Sequence, residues 1–262
     1  MATIAFIGTG SMGSALARAA AKGSWEKIWL ANRTRAKAEK LAAEIGGEVT
    51  DNRTAAAKAD YVMFGVEPAE LPGVIAELRE TLDERESKAV AVSMAAGVEL
   101  ARLRACLGEA APVVRIMPNI PAAVGAGVIL YTAAPTVTEA QLGAFLTGMA
   151  AAGTFVAMEE GRMKAATGVT GCGPAFAALF AEALADGAVA CGVPRAEAKE
   201  LAALTLLGSA KMLLDAPMDP EGLKDLVCSP GGSTIQGVRA LENGAFRAAV
   251  IEAVIATFEK KF

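Results

Sequence analysis

Thr3-Ile4-Ala5-Phe6-Ile7-Gly8-Thr9-Gly10-Ser11-Met12-Gly13 decides how the rest of the chain is read. Its first five residues are apolar and rich in β-formers. Ser14 to Ala21 reads as helix. Strand, glycine turn and helix in that order is the setting in which G-x-G-x-x-G marks a dinucleotide site rather than an ordinary glycine-rich connection. Gly8 permits the tight turn, Gly10 lets a pyrophosphate approach the backbone, and Gly13 lets helix pack closely on strand. Ser11 and Met12 lie where free N–H groups and the positive end of the helix dipole face the phosphates.

The next strand is expected at Lys27 to Leu30, ending at Ala31-Asn32-Arg33-Thr34. NAD-binding folds commonly place a carboxylate here, about twenty residues on, to hold the ribose 2′-hydroxyl. This chain has Asn32, Arg33 and Thr34 instead. A carboxylate repels a 2′-phosphate and a guanidinium pairs with it. The reading is therefore NADP(H) preferred, with NAD(H) possible. The plainer reading of Arg33 and Arg35 is a solvated pair at a helix start.

Alternation continues. Helix is expected from Thr34 to Ile45, closed by Gly46-Gly47, then strand near Glu48-Val49 and helix from Arg53 to Lys58. Asp60 to Val66 reads as a buried parallel strand, with Pro68 starting a helix to about Glu80. Lys88 to Val92, Pro112 to Ile116, Gly127 to Tyr131 and Thr154 to Ala157 read as strands, and Thr138 to Ala150 as helix. The small residues Ser93-Met94-Ala95-Ala96-Gly97 follow a strand end, where ligands of open α/β sheets lie. From Glu159 the strands stop and long alanine-rich helical runs begin, apolar nearly all round, as in Ala198 to Leu207. Such a helix is buried, and in a short domain a second subunit is the expected cover. The expected fold is α/β. A Rossmann-type doubly wound sheet occupies residues 1–158, and an all-helical substrate-binding and dimerisation domain occupies 159–262.

Composition narrows the chemistry. The 262 residues contain no histidine, so imidazole acid–base catalysis is excluded. A net charge of −4 without a basic run argues against a nucleic-acid surface. Cys106, Cys172, Cys191 and Cys228 show no metal-ligand spacing. Reduced thiols and the lack of a signal-peptide pattern point to a cytoplasmic protein. Ile116 to Thr138 is uncharged but broken by prolines and glycines, so no membrane span is expected there.

The ordered set of motifs resembles the Δ1-pyrroline-5-carboxylate reductase family over essentially the whole chain. The motifs are Gly8–Gly13, Asn32-Arg33, Ser93–Gly97, Val114-Arg115-Ile116-Met117-Pro118-Asn119, Gly171-Cys172-Gly173-Pro174-Ala175-Phe176, Leu223-Lys224-Asp225, Ser229-Pro230-Gly231-Gly232-Ser233-Thr234, and Gly237 with Leu241-Glu242. The resemblance implies hydride transfer from NAD(P)H to the C=N carbon of pyrroline-5-carboxylate, yielding L-proline, in a homodimer or ring of dimers. It implies that Ser229, Gly231, Gly232 and Ser233 hold the substrate carboxylate and that Thr234, the catalytic candidate, bonds the ring nitrogen. Gly171, Cys172 and Gly173 belong to the same pocket by resemblance, and Asn52, Val66, Glu67, Pro68, Ala95 and Ala96 match cofactor-lining positions. Glycine- and serine-rich turns expose consecutive N–H groups that suit a carboxylate. An imine protonates readily, so the protein's task is positioning, which a chain without histidine can perform.

The chain departs from the family pattern at four positions. Glu67 stands for a usual lysine, Ile120 for a common threonine, and Thr170 and Cys172 for serines. Three other readings remain open: a reductase of another cyclic imino acid, a silent NADP(H)-binding regulator, and a 3-hydroxyacid dehydrogenase. The last would need a lysine near Ala177, and there is none.

Overall fold

A computed structural model describes residues 1–259. Eight strands form one sheet in the order β3-β2-β1-β4-β5-β6-β7-β8. They are β1 (Thr3–Ile7), β2 (Lys27–Ala31), β3 (Glu48–Val49), β4 (Tyr61–Phe64), β5 (Val90–Ser93), β6 (Val113–Met117), β7 (Gly127–Ala133) and β8 (Gly153–Ala157). The first six run parallel. β7 turns back antiparallel to β6, and β8 runs parallel to β7. Strand order reverses direction between β1 and β4, the switch point where an open sheet of this kind binds ligands.

Seven α-helices among the described residues belong to the same unit: α1 (Ser11–Ala20), α2 (Arg35–Ile45), α3 (Asn52–Lys58), α4 (Leu71–Asp83), α5 (Leu100–Leu107), α6 (Glu139–Gly148) and α7 (Glu160–Thr170). They cover both faces of the sheet, which is why its strands read as continuous apolar runs. Side chains alternate between two cores. Ile4, Phe6, Tyr61 and Met63 pack with Leu16 and Phe145 on one face, while Ala5, Ile7, Val62 and Phe64 pack with Leu71, Ile75 and Leu103 on the other. The scarce aromatics are grouped. Tyr61 stacks near Trp25 and Phe145, and the Trp25 indole N–H donates to the Gly148 carbonyl at 2.9 Å, pinning the end of α6.

Two local expectations are corrected. The fourth helix starts at Leu71 with Pro72 in its first turn, not at Pro68. The Glu67 carbonyl accepts from the amides of both Glu70 and Leu71, so Pro68 lies in a separate turn that precedes the helix. Helix α5 was not anticipated, although Leu103 and Leu107 form its buried stripe.

The chain divides by contacts into a unit from Met1 to Gly171 and a second beginning at Cys172. Composition places the change at Glu159, because the strands end there. Contacts place α7 with the sheet instead. Arg115 of β6, only 8% exposed, pairs with Glu160 at 2.6 Å, and Glu160 also accepts the Leu100 amide at 2.7 Å. At the other end of α7, buried Asn119 donates to the Thr170 carbonyl at 2.8 Å and accepts from the Val128 amide at 2.9 Å.

The second unit is helical: α8 (Gly173–Ala190), α9 (Arg195–Asp215), α10 (Pro220–Val227), α11 (Ser233–Asn243) and α12 (Phe246–Glu259). Its own core is small, with Ala185, Ala198 and Ala202 buried between α8 and α9. Leu179, Leu201, Leu204 and Leu207 are more than half exposed. These residues were expected to be buried, and within one chain they are not. Such an exposed apolar face marks an interaction surface. An 18-residue stretch within Glu160–Ala190, which includes α7 and α8, reaches a mean hydropathy of 1.3, apolar enough for a membrane span by length and composition.

Candidate active site

The glycine turn is built by sterics. Gly8 has φ +97°, a conformation that side chains rarely adopt. A β-carbon on Gly8 would fall within 3.0 Å of the Gly65 carbonyl oxygen, and one on Gly13 would fall within 3.0 Å of the Gly8 carbonyl oxygen. Gly65, which the sequence reading did not single out, is therefore as constrained as the motif glycines: a β-carbon there also meets Gly8. Its signal was a lone glycine directly after a buried strand.

Gly10 differs from all three. Nothing lies within 4 Å of where its β-carbon would be. It caps α1 with φ −67° and ψ −169°, and no side chain caps that helix. The amides of Ser11, Met12 and Gly13 begin α1 and have no intrahelical partner. The Thr9 hydroxyl is buried beside them without a hydrogen-bond partner. Open space, uncapped amides and an unsatisfied hydroxyl fit a dinucleotide's diphosphate.

The other predicted cofactor residues follow the same strand ends. Asn32, Arg33 and Thr34 come after β2, Asn52 opens α3 after β3, Val66, Glu67 and Pro68 come after β4, and Ala95 and Ala96 come after β5. Because β1 to β5 are parallel, all these loops emerge at one edge of the sheet. Val66 lies against Gly8, and Ala95 is buried. Asn32 is committed inside the protein. Its side-chain oxygen accepts the Thr9 amide at 3.0 Å, and its amide donates to the Thr34 carbonyl at 3.0 Å. Arg33 is 88% exposed and donates to Glu70 at 2.6 Å, a pair the sequence reading missed. Arg35 pairs along its own helix with Glu39. Asp51 caps α3 by accepting the Thr54 amide at 2.8 Å, and these Thr54 hydrogen bonds hold its carboxyl below the usual range.

In the helical unit, Ser229 to Gly232 join α10 to α11. Gly231 has φ +71°, and the Gly232 amide donates to the Ser229 carbonyl at 3.0 Å. Gly232 is the cap residue of α11, and neither Ser229 nor Ser233 caps that helix. The Ser229 hydroxyl lies against Gly232, leaving no room for a β-carbon. Ser233 and Thr234 are the first two residues of the helix, so their amides have no partner within it. Cys172 caps α8 ahead of Gly173 and Pro174, while Gly171 closes the first unit. All four cysteines are free thiols.

A Rossmann sheet with an open glycine turn, followed by helices with an uncovered apolar face, defines a nicotinamide-dinucleotide oxidoreductase that self-associates. Residues 3–97 match a model described as NADP oxidoreductase coenzyme F420-dependent, and residues 160–261 match pyrroline-5-carboxylate reductase dimerisation. A pyrroline-5-carboxylate reductase of Methanosarcina acetivorans is 40% identical over 98% of this chain and 96% of its own length. The solved structure of a pyrroline-5-carboxylate reductase from Coxiella burnetii superposes with a TM-score of 0.90 at 32% identity, covering 98% of this chain and 96% of that one. That of Plasmodium falciparum pyrroline carboxylate reductase with NADP bound gives 0.86 at 29%, covering 98% and 96%. The chain belongs to the pyrroline-5-carboxylate reductase family. The dimerisation match covers residues 160–261, a stretch that includes the exposed leucines of α8 and α9.

Proposed function

We propose that the chain reduces 1-pyrroline-5-carboxylate to L-proline with NADPH as the preferred donor, using two backbone cradles rather than a charged acid–base pair. The observation that carries the cofactor half is the set of five loops at one sheet edge, centred on the open Gly10 and the uncapped amides of α1. The bound nicotinamide supplies the hydride. Ser11, Met12 and Gly13 hold the diphosphate through their amides, and Arg33 meets the 2′-phosphate.

The Ser229 hydroxyl and the amides of Gly231 and Ser233 hold the substrate carboxylate, Gly232 shaping the turn through its own bond to the Ser229 carbonyl, with Gly171, Cys172 and Gly173 contributing to the pocket. The Thr234 hydroxyl bonds the ring nitrogen. Once that nitrogen is protonated the iminium carbon is electrophilic, so alignment with the donor is the protein's main contribution. Working as a homodimer or ring of dimers in the cytoplasm agrees with the uncovered helical face and the free thiols.

NADPH oxidation measured with pyrroline-5-carboxylate, its six-membered homologue and a 3-oxo acid tests the reading. Turnover with pyrroline-5-carboxylate is expected. Turnover only with one of the others contradicts it, as does NADPH binding without turnover on any.

A further inference from the structure

The ends of β2 and β4 flank β1, and the glycine turn rises between them. Two residues from those flanking loops meet: the Arg33 guanidinium donates through Nη1 to Glu70 Oε1 at 2.6 Å. Glu70 is held in place by the turn before α4, where its amide donates to the Glu67 carbonyl at 2.9 Å. Neighbouring strands are spaced by about 4.8 Å, so the pair reaches across about two strand spacings at the mouth of the cofactor edge. Arg33 makes no other hydrogen bond or ion pair among the described residues.

We infer that Glu70 is a specificity-determining residue that engages Arg33 and thereby narrows this enzyme's discrimination between NADPH and NADH. The inference rests on the reading that Arg33 receives the 2′-phosphate. A 2′-phosphate carries nearly two negative charges. Glu70 takes only one of the five guanidinium N–H groups, so the phosphate binds the others and comes to rest beside a carboxylate that repels it. A ribose 2′-hydroxyl meets no such penalty and can itself donate to a carboxylate. The pair is exposed, with side chains 88% and 44% accessible, so it competes with the phosphate rather than excluding it. Unit charges about 4 Å apart in water change an equilibrium constant about fivefold, and the double charge of a phosphate enlarges that.

The test is direct binding of NADPH and of NADH to the intact enzyme without substrate, by calorimetry, in wild type, Glu70→Gln, Arg33→Met and the double variant. Glu70→Gln is expected to tighten NADPH about three- to thirtyfold and to leave NADH within about twofold. Most of that gain should vanish when Arg33 is methionine, because a structural effect of residue 70 would not depend on the guanidinium. Equal shifts for both cofactors, or none, in Glu70→Gln overturn the role of Glu70 while leaving the Arg33 reading intact. An unchanged NADPH affinity in Arg33→Met overturns the Arg33 reading and this inference with it.

Discussion

Asn32 and Thr9 are joined by one hydrogen bond, from the Thr9 amide to the Asn32 side-chain oxygen at 3.0 Å, and it ties the end of β2 to the glycine turn after β1. Asn32→Asp keeps an acceptor for that amide and adds a negative charge beside the ribose site. NADPH binding should weaken about ten- to a hundredfold, with NADH changed only a few-fold. Binding titrations with both cofactors check this, and equal losses for both would show that Asn32 serves the turn alone.

Gly10 and Gly13 separate two kinds of glycine. Gly10→Ala meets nothing in the protein and keeps an allowed φ of −67°, so the melting temperature should move by less than about 2 °C. Its methyl group occupies the diphosphate cradle, so NADPH affinity should fall more than about a hundredfold. Gly13→Ala forces a methyl group onto the Gly8 carbonyl and should cost about 1–3 kcal/mol of stability as well as cofactor binding. Thermal melts and NADPH titrations of both variants decide it.

Much of this was legible because it is local. Strand, glycine turn and helix come from neighbouring residues, and β1 spans Thr3 to Ile7 as expected. The helix expected from Thr138 is α6, and the structure adds the Thr138–Gln141 capping box that opens it. Relations set by sheet order were not legible. Arg33 meets Glu70, and Gly8 meets Gly65, only because β2, β1 and β4 lie side by side. Pro68 misled because it precedes Pro72 by four residues and either can begin a helix. Helix α5 is only eight residues long, so its buried pair Leu103 and Leu107 gives a single repeat of the helical period. Arg115 is legible only as a member of a strand and a motif, because its partner Glu160 lies 45 positions on. The Ser229 to Thr234 loop, proposed as the carboxylate cradle, is read through family resemblance rather than through residue chemistry alone.

The Asp51 cap of α3 has a pH signature. Its carboxyl is held below the 3.8 of an unperturbed aspartate by its hydrogen bonds from Thr54. A group with a depressed folded pKa contributes stability that is present above its unfolded pKa and lost as pH falls through the folded value. Asp51→Ala should therefore cost about 1 kcal/mol at neutral pH, and the gap from wild type should close below about pH 4. Melting curves from pH 3 to about pH 7 would show it, and a gap that persists unchanged in acid would contradict the charged cap.

Glu160 anchors α7. Glu160→Ala leaves the Arg115 cation, 8% exposed, without its partner and removes the acceptor of the Leu100 amide. A loss of about 2–4 kcal/mol is expected in thermal or urea unfolding. A loss under about 0.5 kcal/mol would mean that the pair does not hold α7 to the sheet.

Thr234→Ala tests positioning against obligatory proton donation. Loss of one orienting hydrogen bond should lower kcat about ten- to a hundredfold. A drop beyond about ten-thousandfold would show that the hydroxyl is indispensable to the proton transfer itself.

The most direct test follows the hydride. Enzyme is supplied with pyrroline-5-carboxylate and NADPH deuterated at C4 on one face and then on the other, and the proline is analysed by mass spectrometry. Deuterium should appear at C5 of proline from only one of the two labels. Proline free of deuterium from both labels, or no proline at all, would contradict the account.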